Sequence, residues 1–295
     1  MTDGFINLYK EEGLTSHAVV NQVRRIFGVR AIGHMGTLDP AARGVLPLAV
    51  GKATRLIPLV EGDTKVYRAE LVLGRATDTY DTSGTTLATA EASSIAASAI
   101  GQVLPLFVGR QEQVPPMYSA IKVKGQKLYE LARRGETIEV PPRIVHVQSI
   151  VLGELRREQS LSIAMLDITC SKGTYVRSLC YDIGRILHLP ACMGRLWRVR
   201  SGPFAAEDSV MLARLAEDPY RYLIPIDKLL AAFPRVDLCL PTAKQFVHGQ
   251  RLAVVHGDVV ECPVYCGPLF IGLGKVAAGI LSPTKVMVQE VELLC

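Results

Sequence analysis

Residues 33–47 read Gly-His-Met-Gly-Thr-Leu-Asp-Pro-Ala-Ala-Arg-Gly-Val-Leu-Pro, and the prediction of the fold starts from this stretch. Its glycines and prolines argue against a regular helix, and its polar centre argues against a buried strand. Asp39 precedes Pro40, which pushes the Asp39 backbone toward an extended or turn conformation. A carboxylate held on such a turn can act as a nucleophile or a general base. An isolated Asp-Pro is more often a simple connecting turn, so the rest of the chain must decide.

The composition is typical of a globular protein with a basic surface. The 295 residues include 49% hydrophobic and 21% charged side chains, enough to bury a sizeable core. The formal net charge of +5 suits an acidic partner contacted along a defined path. No stretch approaches the roughly 18 apolar residues of a membrane helix, and residues 1–12 lack the pattern of a signal peptide. The seven scattered cysteines indicate a reducing compartment, so we expect a cytoplasmic protein.

A zinc site can be assembled on paper near the end of the chain. Cys262 and Cys266 lie downstream of His248 and His256. The two cysteines are separated by three residues that include a proline, whereas zinc knuckles normally keep two residues between the thiols. We therefore expect no metal.

Helix and strand patterns flank the 33–47 stretch. A helix is predicted from the Thr15-Ser16 cap to the Gly28 stop, because apolar residues recur between them at helical spacing. Residues 65–73 alternate as a half-buried strand, with Tyr67 on the apolar face. After about Phe233 the pattern changes to short strands separated by glycine and proline. This change predicts a larger domain over residues 1–233 and a small β-rich domain over residues 234–295.

Two segments carry much of the basic charge. Residues 117–135 contain five basic side chains and one acidic one, interleaved with tyrosines. Residues 172–200 contain six basic side chains against one acid: Lys172, Arg177, Arg185, Arg195, Arg198 and Arg200. Charge runs are usually solvated surfaces. Tyrosines among lysines are also typical of surfaces that follow phosphates and stack on bases, which makes an acidic polymer the natural partner.

Three polar residues at loops or at the ends of predicted elements have side chains that could take part in a reaction. Asp39 lies on the Gly/Pro loop, Tyr67 opens a strand, and Arg177 lies in the first turn of a predicted helix. A nearby arginine lowers the pKa of an aspartate by about 1–3 units, which suits a carboxylate nucleophile. Tyr67 could stack on a flat substrate and move a proton. Together these residues outline an enzyme that acts on a base within RNA or DNA.

Several motifs resemble those of the TruB-type tRNA pseudouridine synthases, which isomerise uridine 55 in the T loop of tRNA. They follow one another along this chain in the same order as in that family. The two most specific are the 33–47 block and the segment from Cys170 to Arg177, which contains Lys-Gly-Thr-Tyr-x-Arg. The others are Lys10–Ser16, Lys65–Tyr67, Thr77–Asp81, Pro115–Lys122 and Leu128–Arg133. The resemblance covers about residues 4–205.

The resemblance implies an α+β pseudouridine synthase fold. In this fold a mixed, largely antiparallel central sheet is flanked by helices, and a small β-rich PUA-like domain follows at residues 234–295. The segment at about 114–143 would be an RNA-gripping insertion of the catalytic domain. The implied partner is the T-arm stem-loop of tRNA. The resemblance further implies a monomer with no obligatory protein partner and no membrane attachment.

The implied reaction is base flipping followed by nucleophilic attack of Asp39 on the ribose anomeric carbon. The attack can be direct or can follow loss of the base to a glycal-like intermediate, and both routes stay open. Tyr67 would stack on the target base and move a ribose proton, and Arg177 would pair with Asp39. No cofactor is implied, because the isomerisation involves no net redox change. The implied substrate contacts are His34, which would hold flipped-out nucleotides, and Tyr175, Lys10, Lys124, Lys127 and Arg133.

Two positions depart from the family pattern. Glu11 stands where a proline is usual, and Arg43 replaces a residue that is commonly threonine. We expect Arg43 to contact a phosphate, although it could instead compete with Arg177 for Asp39. Two other functions stay open beside the synthase: a non-catalytic tRNA-binding or folding module, and a glycosylase that releases the base.

Overall fold

A long β-sheet runs through most of the chain in the computed structural model, which describes residues 3–119, 121–123, 125–136 and 138–294. The strands of this sheet and of three smaller sheets, in chain order, are β1 (Gly4–Lys10), β2 (Ile32–His34), β3 (Arg43–Val50), β4 (Thr64–Leu73), β5 (Arg75–Thr77), β6 (Thr86–Thr89), β7 (Gly109–Gln113), β8 (Lys122–Val123), β9 (Gln126–Lys127), β10 (Arg143–Glu158), β11 (Leu161–Ser171), β12 (Ala191–Ser201), β13 (Phe204–Ala205), β14 (Val210–Met211), β15 (Val236–Leu238), β16 (Leu252–Ala253), β17 (Val259–Cys266), β18 (Leu269–Ala277) and β19 (Ile280–Val286). The helices are α1 (Ser16–Phe27), α2 (Ile57–Val60), α3 (Ala97–Val103), α4 (Leu128–Arg133), α5 (Val176–Ile186), α6 (Leu212–Glu217), α7 (Ile226–Leu230) and α8 (Leu240–Val247). Short 3₁₀ turns occur at Gly51–Leu56, Leu104–Phe107, Tyr220–Tyr222 and Glu290–Leu294.

The central sheet has the order β14-β1-β3-β12-β4-β11-β10-β7, with β2 paired to β3 and β13 paired to β12. Only the β1–β14 and β3–β12 pairs are parallel among the pairings of this sheet in the described residues. The predicted mixed, largely antiparallel sheet flanked by helices is therefore confirmed. Its main core lies where α1 and α5 pack their apolar faces against the sheet.

The predicted first helix forms for the expected local reasons. The Thr15 side chain accepts a hydrogen bond from the Ala18 backbone N–H, and Gly28 ends α1 in the left-handed conformation, with φ 64°. This helix leads into β2, and β3 returns antiparallel to both β2 and β1. Only residues 35–42 are irregular, because both ends of the 33–47 stretch continue the neighbouring strands. The loop therefore connects the two strands of the β2–β3 hairpin.

Strand β4 is more deeply buried than the predicted half-buried pattern. Glu70 lies on the face assigned to solvent, yet it is only 4% exposed. Arg156 and Arg195 cover it, and each places a guanidinium nitrogen 2.7 Å from Glu70 Oε1. The sequence alternation does not predict this cover, because the two arginines come from β10 and β12.

Residues from Val236 onward form a five-stranded sheet in the order β15-β17-β18-β19-β16. The β-rich character predicted for this part of the chain is confirmed. Leu273 and Met287 extend a hydrophobic cluster that also contains Met35, next to the 35–42 loop. Lys52 pairs with Glu292 at 3.2 Å across the same contact. The boundary at residue 233 and the PUA-like assignment stay predictions.

Candidate active site

Lys10 holds the backbone of the Asp39 loop on the side that follows Asp39 in the sequence. Its Nζ donates hydrogen bonds to the backbone carbonyls of Glu11 at 2.9 Å, Pro40 at 3.1 Å and Ala42 at 2.6 Å. The residue is only 1% exposed, and burial lowers the pKa of its ammonium group to about 8. This geometry favours a positioning role in the loop over the predicted substrate contact.

Arg198 supports the other side of the same loop. Its guanidinium donates to the carbonyls of Val45 at 2.7 Å, Gly36 at 3.1 Å and Thr37 at 3.3 Å. Gly44 permits this close approach, since a Cβ there, at φ 110°, would overlap the Arg198 backbone. Arg198 is one of the largest fully buried side chains of the described residues. The loop is therefore anchored on both sides of Asp39.

We expect Arg198→Met to lower the free energy of unfolding by about 3 kcal/mol, because a fully buried side chain is truncated and three backbone carbonyls of the loop lose their donor. Urea denaturation followed by circular dichroism measures this change. Arg200→Met is the matched control: it lies two residues along the same strand and is exposed. Its loss should stay within about 0.5 kcal/mol. Equal urea midpoints for the two variants would contradict the anchoring role.

The structure brings Asp39 and Arg177 together. Arg177 Nε lies 3.0 Å from Asp39 Oδ2, with the Arg177 side chain 6% exposed and that of Asp39 39% exposed. The rest of the guanidinium is held as well: Nη1 lies 3.7 Å from Asp81 Oδ2 and donates to the Thr79 carbonyl, and Nη2 donates to the Tyr118 carbonyl at 3.1 Å. One oxygen-rich pocket therefore orients the arginine toward a carboxylate that is only partly exposed.

The predicted lowering of the Asp39 pKa is wrong in its net direction. Burial is the largest influence and raises the pKa of Asp39, and the nearby Asp81 raises it further. Arg177 and Lys10 act in the opposite direction without reversing the shift. The charged form of Asp39 therefore depends on its cationic neighbours.

Tyr67 lies on β4 with its ring partly buried against the main core. Burial raises the pKa of its hydroxyl, and the nearby Arg198 opposes this effect. Asp39 also raises the pKa of Tyr67, which places the two residues within electrostatic reach of each other. The phenol is therefore neutral at physiological pH, and its ring is only partly covered by the core.

His34 and Tyr175 lie at the ends of elements that border the loop. Burial and the neighbouring Arg198 lower the pKa of His34, so its imidazole is neutral at neutral pH. Its Nδ1 is buried without a hydrogen-bond partner among the described residues. Tyr175 immediately precedes α5; burial raises the pKa of its hydroxyl, and Asp39 contributes to that rise. His34 therefore lies close to Arg198, and Tyr175 lies within electrostatic reach of Asp39.

The 114–143 segment begins where β7 ends and has a small hydrophobic core of its own, centred on Leu128, Leu131 and Val140. Of the predicted substrate contacts here, Lys127 ends β9 and Arg133 ends α4. Lys124 lies outside the described residues. The roles of all three stay predictions.

The basic segment 172–200 contains both buried and exposed cations, and each of them has a partner within the protein. Arg177 and Arg198 are buried in the site. The other four form ion pairs or hydrogen bonds within the protein. Lys172 pairs with Asp63, Arg185 with Asp182 and Arg195 with Glu70, and Arg200 donates to the Gly202 carbonyl. A count of charges along the sequence cannot show the partners of Lys172 and Arg195, because Asp63 and Glu70 lie far from them in the sequence.

Arg43 forms an ion pair with Glu12, with Nη2 2.6 Å from Oε2. It therefore does not compete with Arg177 for Asp39, and the expected phosphate contact would have to displace this pair. Both side chains are nearly half exposed, so the pair contributes little to stability.

The structure adds Asp81 and Arg198 to the residues around Asp39. The sequence analysis included Asp81 only as part of the Thr77–Asp81 motif and Arg198 only as part of a basic run. The available signal for Asp81 was an acidic residue inside a motif of turn-forming residues. Nothing in the sequence distinguished Arg198 from the neighbouring Arg200.

The described residues contain no group of three or more His, Cys, Asp or Glu side chains arranged to hold a metal ion. Cys262 is a core residue whose Sγ donates to the Gly274 carbonyl. As for membranes, the helices in the described part of the chain are all too short or too polar to cross a bilayer.

The sequence matches two family models. Residues 24–176 match the TruB family pseudouridylate synthase N-terminal domain, and residues 177–231 match the tRNA pseudouridylate synthase B C-terminal domain. Both matches end before the five-stranded sheet begins. The two ranges divide the site, with Asp39 and Tyr67 in the first and Arg177 and Arg198 in the second.

Curated relatives and solved structures agree with this assignment. A tRNA pseudouridine synthase B from Symbiobacterium thermophilum is 46% identical over 85% of this chain and 84% of its own. One from Clostridium perfringens strain SM101 is 45% identical over 98% of this chain and all of its own. A chain in the crystal structure of a Cbf5-Nop10-Gar1 complex shares the fold, with a TM-score of 0.74, 25% identity, and coverage of 99% of this chain and 87% of its own. With matches of this extent, the chain belongs to the TruB family of pseudouridylate synthases.

Proposed function

We propose that this chain converts uridine to pseudouridine at position 55 in the T loop of tRNA, with Asp39 as the nucleophile. The observation that carries the proposal is the 3.0 Å contact between Arg177 and the partly exposed Asp39 carboxylate, on a loop anchored by Lys10 and Arg198. The curated relatives described above are named tRNA pseudouridine synthase B, which supports tRNA as the substrate.

In the proposed reaction the bond between C1′ and uracil N1 breaks, and the base turns within the pocket. A new bond then forms between C1′ and uracil C5. C5 loses its proton and the freed N1 takes up one, so no atoms are gained or lost overall. Asp39 either bonds to C1′ directly or acts after loss of the base to a glycal. Arg177 and Lys10 keep Asp39 charged against the effect of burial. Tyr67 would carry a ribose proton through its hydroxyl.

Taking the base out of its stack costs a few kcal/mol, which the protein must offset. The partly buried ring of Tyr67 offers a stacking surface for the flipped base. His34 is kept neutral by burial, so its imidazole can fill the space left among the loop nucleotides without desolvating a charge. Tyr175 would contribute a further aromatic contact beside α5.

Recognition of the T arm would involve the surfaces around this cleft. Lys124, Lys127 and Arg133 would contact phosphates from the 114–143 insertion, where cations bind RNA without base specificity. The five-stranded C-terminal sheet would act as a PUA-like RNA-binding domain. We propose that the protein works in the cytoplasm as a monomer, without an obligatory protein partner.

The test uses tRNA transcripts carrying tritium at uracil C5. We expect one equivalent of tritium released per transcript with uridine at position 55, and none when position 55 is cytidine, because only the C5 proton of the isomerised base is lost. Release from the cytidine 55 transcript would place the target elsewhere. Free uracil as the product would indicate a glycosylase, and binding without release would indicate a non-catalytic module.

A further inference from the structure

The end of β7 is joined to the start of α5 by the side chain of Gln113. Gln113 Nε2 donates to the Tyr175 carbonyl at 3.1 Å, and the Tyr175 N–H donates to Gln113 Oε1 at 2.8 Å. Gln113 is only 6% exposed. One amide thus satisfies both backbone groups of the residue that precedes α5, which has no side-chain cap of its own.

Two further hydrogen bonds connect the same two segments. Ser178 Oγ donates to the Val114 carbonyl at 2.8 Å, and Arg177 Nη2 donates to the Tyr118 carbonyl at 3.1 Å. Val114 and Tyr118 belong to the first residues of the 114–143 insertion, directly after β7. The base of the insertion is therefore attached to the helix turn that carries Arg177.

We propose that Gln113 is a positioning residue for the reaction: it fixes the first turn of α5, so that Arg177 meets Asp39, and it ties the RNA-gripping insertion to that geometry. The inference rests on the proposed function. Because Tyr175 is two residues from Arg177, a loss of the amide contacts lets the first turn shift, and the guanidinium shifts with it. RNA bound to the insertion would act on the same turn through Val114 and Tyr118.

Gln113 differs from the other glutamine of β7, because its side-chain amide is bonded to the start of α5. Gln111 lies two residues earlier on β7 and carries the same amide, yet its Nε2 is buried without a hydrogen-bond partner among the described residues. Gln111→Met is therefore a matched control, because it removes an amide from the same strand without touching α5.

The experiment compares Gln113→Met with Gln111→Met and wild type in full-length protein. For Gln113→Met we expect kcat on the T-arm substrate to fall about 10- to 100-fold, as a displacement near 1 Å can cause. KM should stay close to the wild-type value. The acid limb of the pH profile should move to higher pH, since a loosened Arg177 opposes burial less at Asp39. The other charged groups facing Asp39, which are Asp81 and Lys10, are unchanged in both variants.

A second readout does not depend on activity. The pKa of Asp39 is measured in free protein by ¹³C NMR of labelled aspartate carboxyls, with Asp39→Asn identifying the resonance. We expect a higher pKa in Gln113→Met and the wild-type pKa in Gln111→Met. An unchanged Asp39 pKa would overturn the proposal, as would a lower Tm with full kcat per folded molecule. If wild type fails to isomerise the T arm, the proposed function fails, while the titration still decides the role of Gln113.

Discussion

Replacing Asp39 by asparagine should lower tritium release from a uridine 55 transcript by at least about 10⁴-fold, the scale seen when a covalent nucleophile is removed. An amide has nearly the size of the carboxylate and can accept a hydrogen bond from Arg177, so the loop should keep its conformation. It cannot attack the anomeric carbon. The loss should appear in kcat, with binding of the T-arm stem-loop retained.

The control for this variant is structural. Lys10 and Arg198 hold the loop through backbone carbonyls and do not require the Asp39 side chain. Circular dichroism and the Tm of Asp39→Asn should therefore match wild type. Undiminished tritium release by a folded Asp39→Asn protein would leave the synthase activity standing and remove Asp39 as the nucleophile.

Replacing Arg177 by methionine should lower kcat/KM at pH 7 by about 10²- to 10³-fold, the usual cost of losing one preorganised charge in an active site. Burial and Asp81 raise the pKa of Asp39, and Arg177 is the largest influence that lowers it. Removing the guanidinium therefore raises the pKa of Asp39 further. The reactive form is the carboxylate. A higher pKa therefore moves the acid limb of the kcat/KM profile to higher pH, and activity should recover in part on the alkaline side.

Two further variants make this prediction specific. Asp81→Asn removes the acidic neighbour, so its acid limb should move to lower pH, opposite to that of Arg177→Met. Arg177→Lys keeps a positive charge but lacks the planar fork that reaches the Thr79 and Tyr118 carbonyls. We expect it to shift the acid limb less than methionine does. Limbs that coincide across these variants would show that the titration belongs to another group.

The local pattern of the sequence predicts α1 and its caps well, because Thr15 and Gly28 act on their own neighbours. The same holds for the irregular centre of the 33–47 stretch, where glycine and proline restrict the backbone directly. The β4 alternation was less informative. Glu70 sits on the face assigned to solvent and is buried by arginines from two other strands, which no property of residues 64–73 indicates.

The motifs also predicted which residues meet, but not how their charges balance. Asp39 and Arg177 are 138 positions apart in sequence and form the expected pair. The predicted direction of the Asp39 pKa shift was wrong. The shift depends on burial and on the nearby Asp81, and both result from tertiary packing. Arg198 illustrates the same limit, since the sequence contains several similar arginines and only the register of β12 beside β3 buries this one under the loop.

By itself, the sequence determined the family and the α+β class, and it predicted that Asp39 and Arg177 belong to one site, because these depend on residue identity and order within short motifs. Only the tertiary structure decided that Lys10 and Arg198 anchor the loop. It also decided that Arg43 forms an ion pair with Glu12, and that Gln113 binds the backbone of Tyr175 at the start of α5. The physical reason is that hydrogen bonds and burial join strands distant in sequence, and short motifs carry no information about those distances.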